Sequence, residues 1–130
     1  MSHRPLRRVM HVEDEDDIRT VTKLALESLG GFTVASCESG AAAVEKAVAF
    51  KPDIIILDVM MPGMDGPETL RALRKLPETA DTLVVFMTAK AQKPEIDKLK
   101  SLGIAGIIVK PFDSMTLSSQ LLEIWESQHG

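Results

Sequence analysis

Cysteine occurs only once in this 130-residue sequence, as Cys37. A single thiol cannot form an internal disulfide, and no second thiol stands near it as a cysteine-based metal site would require. We therefore interpret Cys37 as a small residue that fills space at the end of a strand. No apolar run is long enough to span a bilayer. Glu13 and Asp14 interrupt the run that a signal peptide would need, so we expect a cytoplasmic protein.

Clustered positive charge is also missing from the chain. The 15 Lys and Arg residues are scattered among 19 Asp and Glu residues, which gives a formal net charge of −4. A nucleic-acid backbone or an anionic membrane surface is bound by a concentrated basic patch. We therefore expect no direct contact with nucleic acid and none with membranes.

The composition that remains is typical of an ordinary globular domain. Hydrophobic residues make up 45% of the chain and charged residues 26%, which excludes a disordered or collagen-like chain. The length fits one domain with one core. We expect residues 1–6 to form a flexible N-terminal segment and residues 7–128 to form the domain.

Five short apolar runs alternate with five stretches of helical periodicity, which is typical of repeated βα units. Three of the runs are almost continuously apolar, which indicates strands of a parallel sheet covered by helices on both faces. The predicted fold is α/β, a doubly wound five-stranded parallel sheet with five helices in a single domain. The predicted strands span residues 8–12, 32–36, 53–57, 82–87 and 105–109.

The helical stretches carry signals for where helices begin and end. The pair Gly30-Gly31 would end the first helix with a left-handed turn, and Ser39 would cap the second through residue 48. Pro67 and Pro94 suit the first turns of the third and fourth. We expect these last two helices to end near residues 76 and 103, and the fifth to begin at residue 113 or 114. The apolar stripe predicted for the first helix is Ile18, Val21, Ala25 and Leu29. The positions predicted to pack on the sheet in the fifth are Leu117, Leu121, Ile124 and Trp125.

Polar residues follow four of the predicted strands, namely Glu13 with Asp14, then Asp58, Thr88 and Lys110. The carboxyl ends of parallel strands meet at one edge of the sheet, where functional groups collect. Carboxylates that converge there repel one another, and a hard divalent cation, best magnesium, relieves the repulsion.

Not every acidic residue of the first loop belongs to that site. Asp16 and Asp17 are assigned to the first turn of a helix, where negative charge complements the helix dipole. Asp58 ends an apolar strand, and an unpaired buried carboxylate is costly there. We therefore expect an ion or a cation beside Asp58, and Lys110 is the obvious cation.

Four short segments, each at a different predicted strand end, resemble the receiver domain of two-component response regulators. They are Val12-Glu-Asp-Glu15, Leu57-Asp-Val-Met-Met-Pro-Gly-Met-Asp-Gly66, Met87-Thr-Ala89 and Val109-Lys-Pro-Phe112. The resemblance runs essentially end to end. It implies a flavodoxin-like fold similar to that of the chemotaxis response regulators.

The resemblance implies a role for each residue of the acidic site. Asp58 would accept a phosphoryl group from a phosphohistidine. Asp14, Asp58 and the backbone carbonyl of Met60 would bind Mg2+, with Glu13 contributing through a water molecule. Phosphoryl transfer asks mainly for positioning and for cations that stabilise charge. A carboxylate that is already ionised at neutral pH needs no general base.

The resemblance also implies how the signal is passed on. A cis Lys110–Pro111 bond would direct the ammonium into the pocket, and the Thr88 hydroxyl would turn inward to the new phosphoryl oxygens. Ile107 stands where many receivers have an aromatic residue that moves with the threonine. Lys90 and Met60 occupy positions that tune hydrolysis of the acyl phosphate in the family.

An output surface is implied on the fourth helix, the fifth strand and the fifth helix, where a homodimer would also form. Besides residues of the last helix, it would contain Lys90, Gln92, Lys93, Lys98 and Ile107. A phosphoryl group on Asp58 would shift a conformational equilibrium and so change this surface.

The function expected is that of a phosphoacceptor signalling module. A sensor histidine kinase or a histidine phosphotransfer protein would phosphorylate it, and it would control a downstream protein. It would not be a turnover enzyme, although it would catalyse its own magnesium-dependent phosphorylation and dephosphorylation.

Alternatives remain open at this point. The chain is also consistent with a receiver domain cut from a longer regulator with a DNA-binding or enzymatic output domain, which a reading frame continuing past Gly130 would reveal. A pseudo-receiver would bind partners without phosphorylation, but such proteins usually lose pocket residues. A phosphatase or a flavin carrier would need an Asp-x-Asp-x-Thr start or a Gly-rich phosphate loop, and neither is present.

Overall fold

Five strands alternate with five helices along the chain in the computed structural model, which describes residues 4–129. The strands are β1 (Arg8–Val12), β2 (Thr33–Cys37), β3 (Ile54–Asp58), β4 (Leu83–Thr88) and β5 (Gly106–Val109). The helices are α1 (Asp16–Ser28), α2 (Gly40–Phe50), α3 (Gly66–Arg74), α4 (Lys93–Lys100) and α5 (Leu117–His129).

All the strands pair in parallel in one sheet, in the order β2-β1-β3-β4-β5. This arrangement confirms the predicted doubly wound α/β fold. The predicted bounds of β1 are correct, whereas β2, β3 and β4 begin and end one residue later than predicted and β5 begins one residue later. The later end of β3 and of β4 makes Asp58 and Thr88 the last residues of their strands.

The core lies on both faces of the sheet, as the apolar strands indicate. One face is covered by α1 and α5 through Leu26, Leu121 and Trp125, and the other by α2, α3 and α4 through residues such as Leu73 and Leu99. Every residue of β3 is buried, because this strand is central and covered on both sides.

Some helix ends lie where the sequence predicts, and others differ by a few residues. The Ser39 hydroxyl accepts a hydrogen bond from the Ala42 amide at 3.1 Å and caps α2, as predicted. Helix α1 stops at Ser28, and Gly31 takes the left-handed conformation at φ 69°. Helices α3 and α4 end before their predicted last residues, and α5 begins after the predicted one. The predicted docking of α5 is confirmed, with Leu117, Leu121 and Trp125 buried and Ile124 partly buried.

The apolar stripe predicted for α1 is wrong at two positions. Val21 is 49% exposed and Leu29 is 53% exposed, whereas Thr22, Ala25 and Leu26 are buried. Apolar residues surround much of this helix, so the sequence allows more than one rotation about its axis. Packing against β1, β2 and α5 selects the face that contains Leu26.

The segment predicted to be flexible, residues 1–6, is only partly described, since residues 1–3 lie outside the described range. Leu6 is buried in the core beside Trp125 and its neighbours. The Trp125 ring N–H donates a hydrogen bond to the Arg4 carbonyl at 3.0 Å, and the Arg4 guanidinium pairs with Asp53 at 2.6 Å. The packed structure therefore begins before residue 7, because residues 4–6 contact the sheet and α5.

Asp53 fastens this N-terminal segment to the amino end of β3. Its buried Oδ2 accepts hydrogen bonds from the backbone N–H groups of Arg7 at 3.1 Å and Arg8 at 2.9 Å. No helix within residues 4–129 is long and apolar enough to cross a membrane.

We expect Asp53→Ala to lower the free energy of unfolding by about 2–4 kcal/mol, because two backbone donors lose their acceptor. Urea unfolding followed by circular dichroism measures the change. Asp97→Ala is the matched control, since among residues 4–129 its carboxylate pairs with an exposed lysine and should contribute less than about 1 kcal/mol. Equal unfolding midpoints for the two variants would contradict the role of Asp53.

Candidate functional site

The predicted site residues meet at the carboxyl edge of the sheet. Glu13 and Asp14 follow β1, Asp58 ends β3, Thr88 ends β4 and Lys110 follows β5. Parallel strands bring these ends together although the residues are far apart in sequence. Asp16 and Asp17 instead lie exposed in the first turn of α1, as predicted.

Three carboxylates are concentrated at this edge. Glu13, Asp14 and Asp58 each offer an oxygen within 4.8 Å of the others. Glu13 and Asp58 are buried and Asp14 is partly buried. Like charges held this close repel one another, and clustered carboxylate oxygens are the ligands that hard divalent cations prefer. This donor set therefore fits Mg2+.

Lys110 is the cation that pairs with two of these carboxylates. Its ammonium lies 2.8 Å from Glu13 Oε1 and 3.0 Å from Asp58 Oδ1. The Lys110–Pro111 bond is cis, as the family resemblance implies. Burial disfavours the charged ammonium, but hydrogen bonds to Glu13 and Asp58 outweigh it and raise the pKa of Lys110. The cation expected beside Asp58 is thus in place.

The pKa of Asp58 is higher than that of an ordinary aspartate. Burial raises the pKa of its carboxyl to about 6, and the negative charges of Glu13 and Asp14 act in the same direction, while Lys110 opposes them. At neutral pH the carboxylate is still the main form. The expectation that Asp58 is ionised at neutral pH therefore holds with a much narrower margin than an ordinary aspartate would have.

Thr88 lies beside this cluster at the end of the adjacent strand. Its buried hydroxyl accepts a hydrogen bond from the Lys90 amide at 3.0 Å and lies 3.4 Å from the Lys90 carbonyl. The Lys90 side chain is exposed. The backbone of residue 90 therefore holds the hydroxyl of Thr88 in its present orientation.

Ile107 lies on the edge strand β5, and other residues predicted for the output surface lie on and beside α4. Ile107 pairs in register with Phe86 and packs, partly buried, against the core that also contains Leu99 of α4. Gln92, Lys93 and Lys98 are exposed on and beside α4. These residues lie on the elements predicted for the output surface.

The loop after Asp58 contains two features that the sequence reasoning missed. Gly66 begins α3, and a Cβ there would come within 2.6 Å of the Asp58 carbonyl oxygen. Its N–H donates to the Val59 carbonyl at 2.9 Å. Gly66 is therefore needed for close backbone approach, whereas Gly63 adopts a positive φ of 76° as expected for a turn.

Asp65 and Glu68 form a capping box at the start of α3. The Asp65 carboxylate accepts from the Glu68 amide at 2.9 Å, and the Glu68 carboxylate accepts from the Asp65 amide at 3.1 Å. The spacing of an N-cap residue and a glutamate three residues later is the sequence signal for this motif. Together the box and Gly66 fix the loop that contains Met60, whose side chain is 70% exposed.

Comparison with known proteins gives a consistent result. The family model described as the response regulator receiver domain matches residues 9–122. The chemotaxis protein CheY of Pseudomonas aeruginosa is 29% identical over 123 residues, which cover 95% of this chain and 99% of the relative. The solved structure of chemotaxis response regulator CheY4 of Vibrio cholerae has a TM-score of 0.84 at 30% identity. The match covers 92% of this chain and 98% of the Vibrio cholerae chain.

A longer relative matches over only part of its length. The transcriptional regulatory protein CseB of Streptomyces coelicolor is 35% identical over 113 residues, which cover 87% of this chain and 47% of the relative. The chain therefore spans about half the length of some of the curated proteins it matches.

The raised pKa of Asp58 gives a prediction for stability. Its ionised form is disfavoured in the folded protein, so the free energy of unfolding falls as the pH rises from about 3.8 to about 6. Without added metal at pH 8, Asp58→Asn should therefore raise the free energy of unfolding by about 1–3 kcal/mol. The difference should vanish near pH 4, where the native carboxyl is protonated. Urea unfolding at both pH values measures it.

Glu78→Gln is the matched control, because Glu78 is an exposed carboxylate outside the cluster and its removal should not change stability in this way. A stability loss for Asp58→Asn at pH 8 would contradict the electrostatic account of the site.

Proposed function

The chain belongs to the family of response regulator receiver domains, and from this premise we propose that Asp58 is its phosphoacceptor. As a member of that family it is a phosphoacceptor signalling module of two-component systems. The phosphodonor in this proposal is a sensor histidine kinase or a histidine phosphotransfer protein. The observation that carries the assignment is that Asp58 ends the central strand β3 between the acidic cluster and Lys110. Glu13 is the other buried carboxylate that pairs with Lys110, but both of its oxygens already accept hydrogen bonds from the chain.

Phosphoryl transfer at this site needs little covalent chemistry from the protein. An Asp58 oxygen attacks the phosphorus of the phosphohistidine, and the phosphorus–nitrogen bond breaks. Its electron pair stays on the imidazole nitrogen, which takes a proton from solvent. The product is an acyl phosphate on Asp58. Because the attacking group is a carboxylate, no general base has to remove a proton from it.

The site contributes mainly by stabilising negative charge on the transferred phosphoryl group. The Lys110 ammonium, 3.0 Å from Asp58 Oδ1, can stay beside the oxygen that becomes part of the acyl phosphate. We propose that Asp14, Asp58 and the Met60 carbonyl would hold Mg2+, with Glu13 contributing through a water molecule. The bound ion would supply positive charge for the phosphoryl oxygens.

The proposed readout begins at Thr88. Its hydroxyl turns from the Lys90 backbone toward the phosphoryl oxygens, and the end of β4 and the loop before α4 move with it. Ile107 lies in register with β4 and packs against the core that also contains Leu99 of α4, so it repacks when they move. Having no hydroxyl, it does so by changing its apolar contacts alone. Phosphorylation then acts as a population shift.

In this proposal, phosphorylation changes the binding surface formed by α4, β5 and α5. That surface would bind a downstream protein or a second copy of the chain. The proposal keeps the predicted cytoplasmic location and the absence of direct contact with nucleic acid or membranes. It also keeps the prediction that turnover is limited to phosphorylation and dephosphorylation of the chain itself.

Intact-mass spectrometry after incubation with acetyl phosphate and Mg2+ tests the acceptor. We expect one added phosphoryl group per chain, which is lost in Asp58→Ala and in the presence of a chelator. Asp81→Ala, a change at an exposed aspartate, should be modified like the unaltered protein. No adduct in the unaltered protein, together with no binding of beryllofluoride, would show a pseudo-receiver instead.

Thr88→Ala should separate phosphorylation from the conformational response. We expect the adduct to form, while the amide NMR shifts that phosphorylation causes in α4 and at Ile107 fall by about half or more, because the hydroxyl that would bind the phosphoryl oxygens is gone. Thr116→Ala, an exposed change at the start of α5, is the control. Unchanged shifts in Thr88→Ala would refute the switching role of Thr88.

A further inference from the structure

Both carboxylate oxygens of Glu13 are bound by other groups of the chain, which a metal-binding carboxylate does not require. Its side chain is fully buried, and both of its oxygens already have partners. Oε1 accepts from the Lys110 ammonium at 2.8 Å, and Oε2 accepts from the Glu15 amide at 3.1 Å. The shorter of the two Lys110 ion pairs is therefore the one with Glu13, and the pair with Asp58 is 3.0 Å.

The backbone of Glu13 is fixed on both sides. Its N–H donates to the Cys37 carbonyl of the neighbouring strand at 3.0 Å, and its carbonyl accepts from the Arg19 guanidinium at 2.8 Å. Since the backbone cannot follow a shortened side chain, the length of the side chain decides how far its carboxylate reaches.

We propose that Glu13 is the positioning residue for Lys110, holding the ammonium against Asp58 so that it is in place before a phosphoryl group arrives. This inference rests on Asp58 being the phosphoacceptor. Without Glu13, the flexible lysine side chain would have to be ordered during the reaction, which costs conformational entropy. Any contact of Glu13 with a metal-bound water would add to this role.

The substitution Glu13→Asp separates the two roles, because it keeps the negative charge but removes one methylene. An aspartate can still accept from the amide two residues ahead, as in an Asx turn. Its second oxygen then falls short of Lys110. A contact to the metal through water tolerates that change more easily, since a water molecule can move. The same shortening at exposed Glu15, Glu15→Asp, is the matched control.

Two affinities are measured for each protein by NMR titration: that for Mg2+ alone, and that for beryllofluoride at saturating Mg2+. We expect Glu13→Asp to weaken beryllofluoride binding about 10-fold, the scale of one charge-assisted hydrogen bond. Its Mg2+ affinity should stay within about 3-fold of the unaltered protein. Asp14→Asn should instead weaken Mg2+ binding, and Glu15→Asp should change neither affinity. Thermal unfolding checks that the variants are folded.

A second measurement uses the Lys110→Met background. If Glu13 acts through Lys110, Glu13→Asp causes no further loss of beryllofluoride binding once the ammonium is gone. An added loss in that background would overturn the inference, and so would native beryllofluoride binding by the single variant. A loss of Mg2+ affinity equal to that of Asp14→Asn would assign Glu13 to the metal alone. Failure of the unaltered protein to bind beryllofluoride would overturn the proposed function itself, and this inference with it.

Discussion

Repulsion among the clustered carboxylates of Glu13, Asp14 and Asp58 is the constraint on which the functional edge of the sheet depends. Three such groups within 4.8 Å of one another cannot all remain charged without a compensating cation. Lys110 supplies one positive charge from within the chain, although it lies 97 residues from Glu13 in sequence. The parallel sheet makes this possible, because β1, β3, β4 and β5 all end at the same edge and Lys110 follows β5 directly.

The same constraint connects stability with signalling. Burial disfavours the charged form of Asp58, and one ammonium shared between two carboxylates compensates only in part, so the pKa of Asp58 is about 6. The folded protein tolerates an unfavourable charge at the position where the proposed function needs an ionised nucleophile. The neighbouring groups are positioned by different contacts. The Lys90 backbone orients the Thr88 hydroxyl, and Gly66 and the Asp65 capping box fix the loop after Asp58. Ile107 packs against the same apolar core as Leu99 of α4, and the proposed rearrangement would reach that helix through this core.

Much of this could be predicted from local patterns. The apolar run of β3, followed at once by a carboxylate, indicated both a strand covered on its two faces and the position of Asp58. The polar residues at the strand ends indicated which side chains would meet, and the family motifs gave each one a role. Prediction failed where several packings satisfy the same pattern. Leu29 and Leu26 both fit an amphipathic α1, and the contacts with β1, β2 and α5 chose Leu26. The short polar stretch before β1 carried no signal that Arg4 would pair with Asp53.

The sequence by itself determined the alternation of strands and helices, the two-sided core and the set of polar residues at the strand ends. These follow from hydrophobic periodicity and from short-range turn and capping signals, which act within a few residues. Only the tertiary structure decided that Glu13 reaches Lys110 and that Gly66 approaches the Asp58 carbonyl. It also decided that Asp53 holds the N-terminal segment. Each of these contacts joins separate elements, and its distance depends on how those elements pack, which no local pattern specifies.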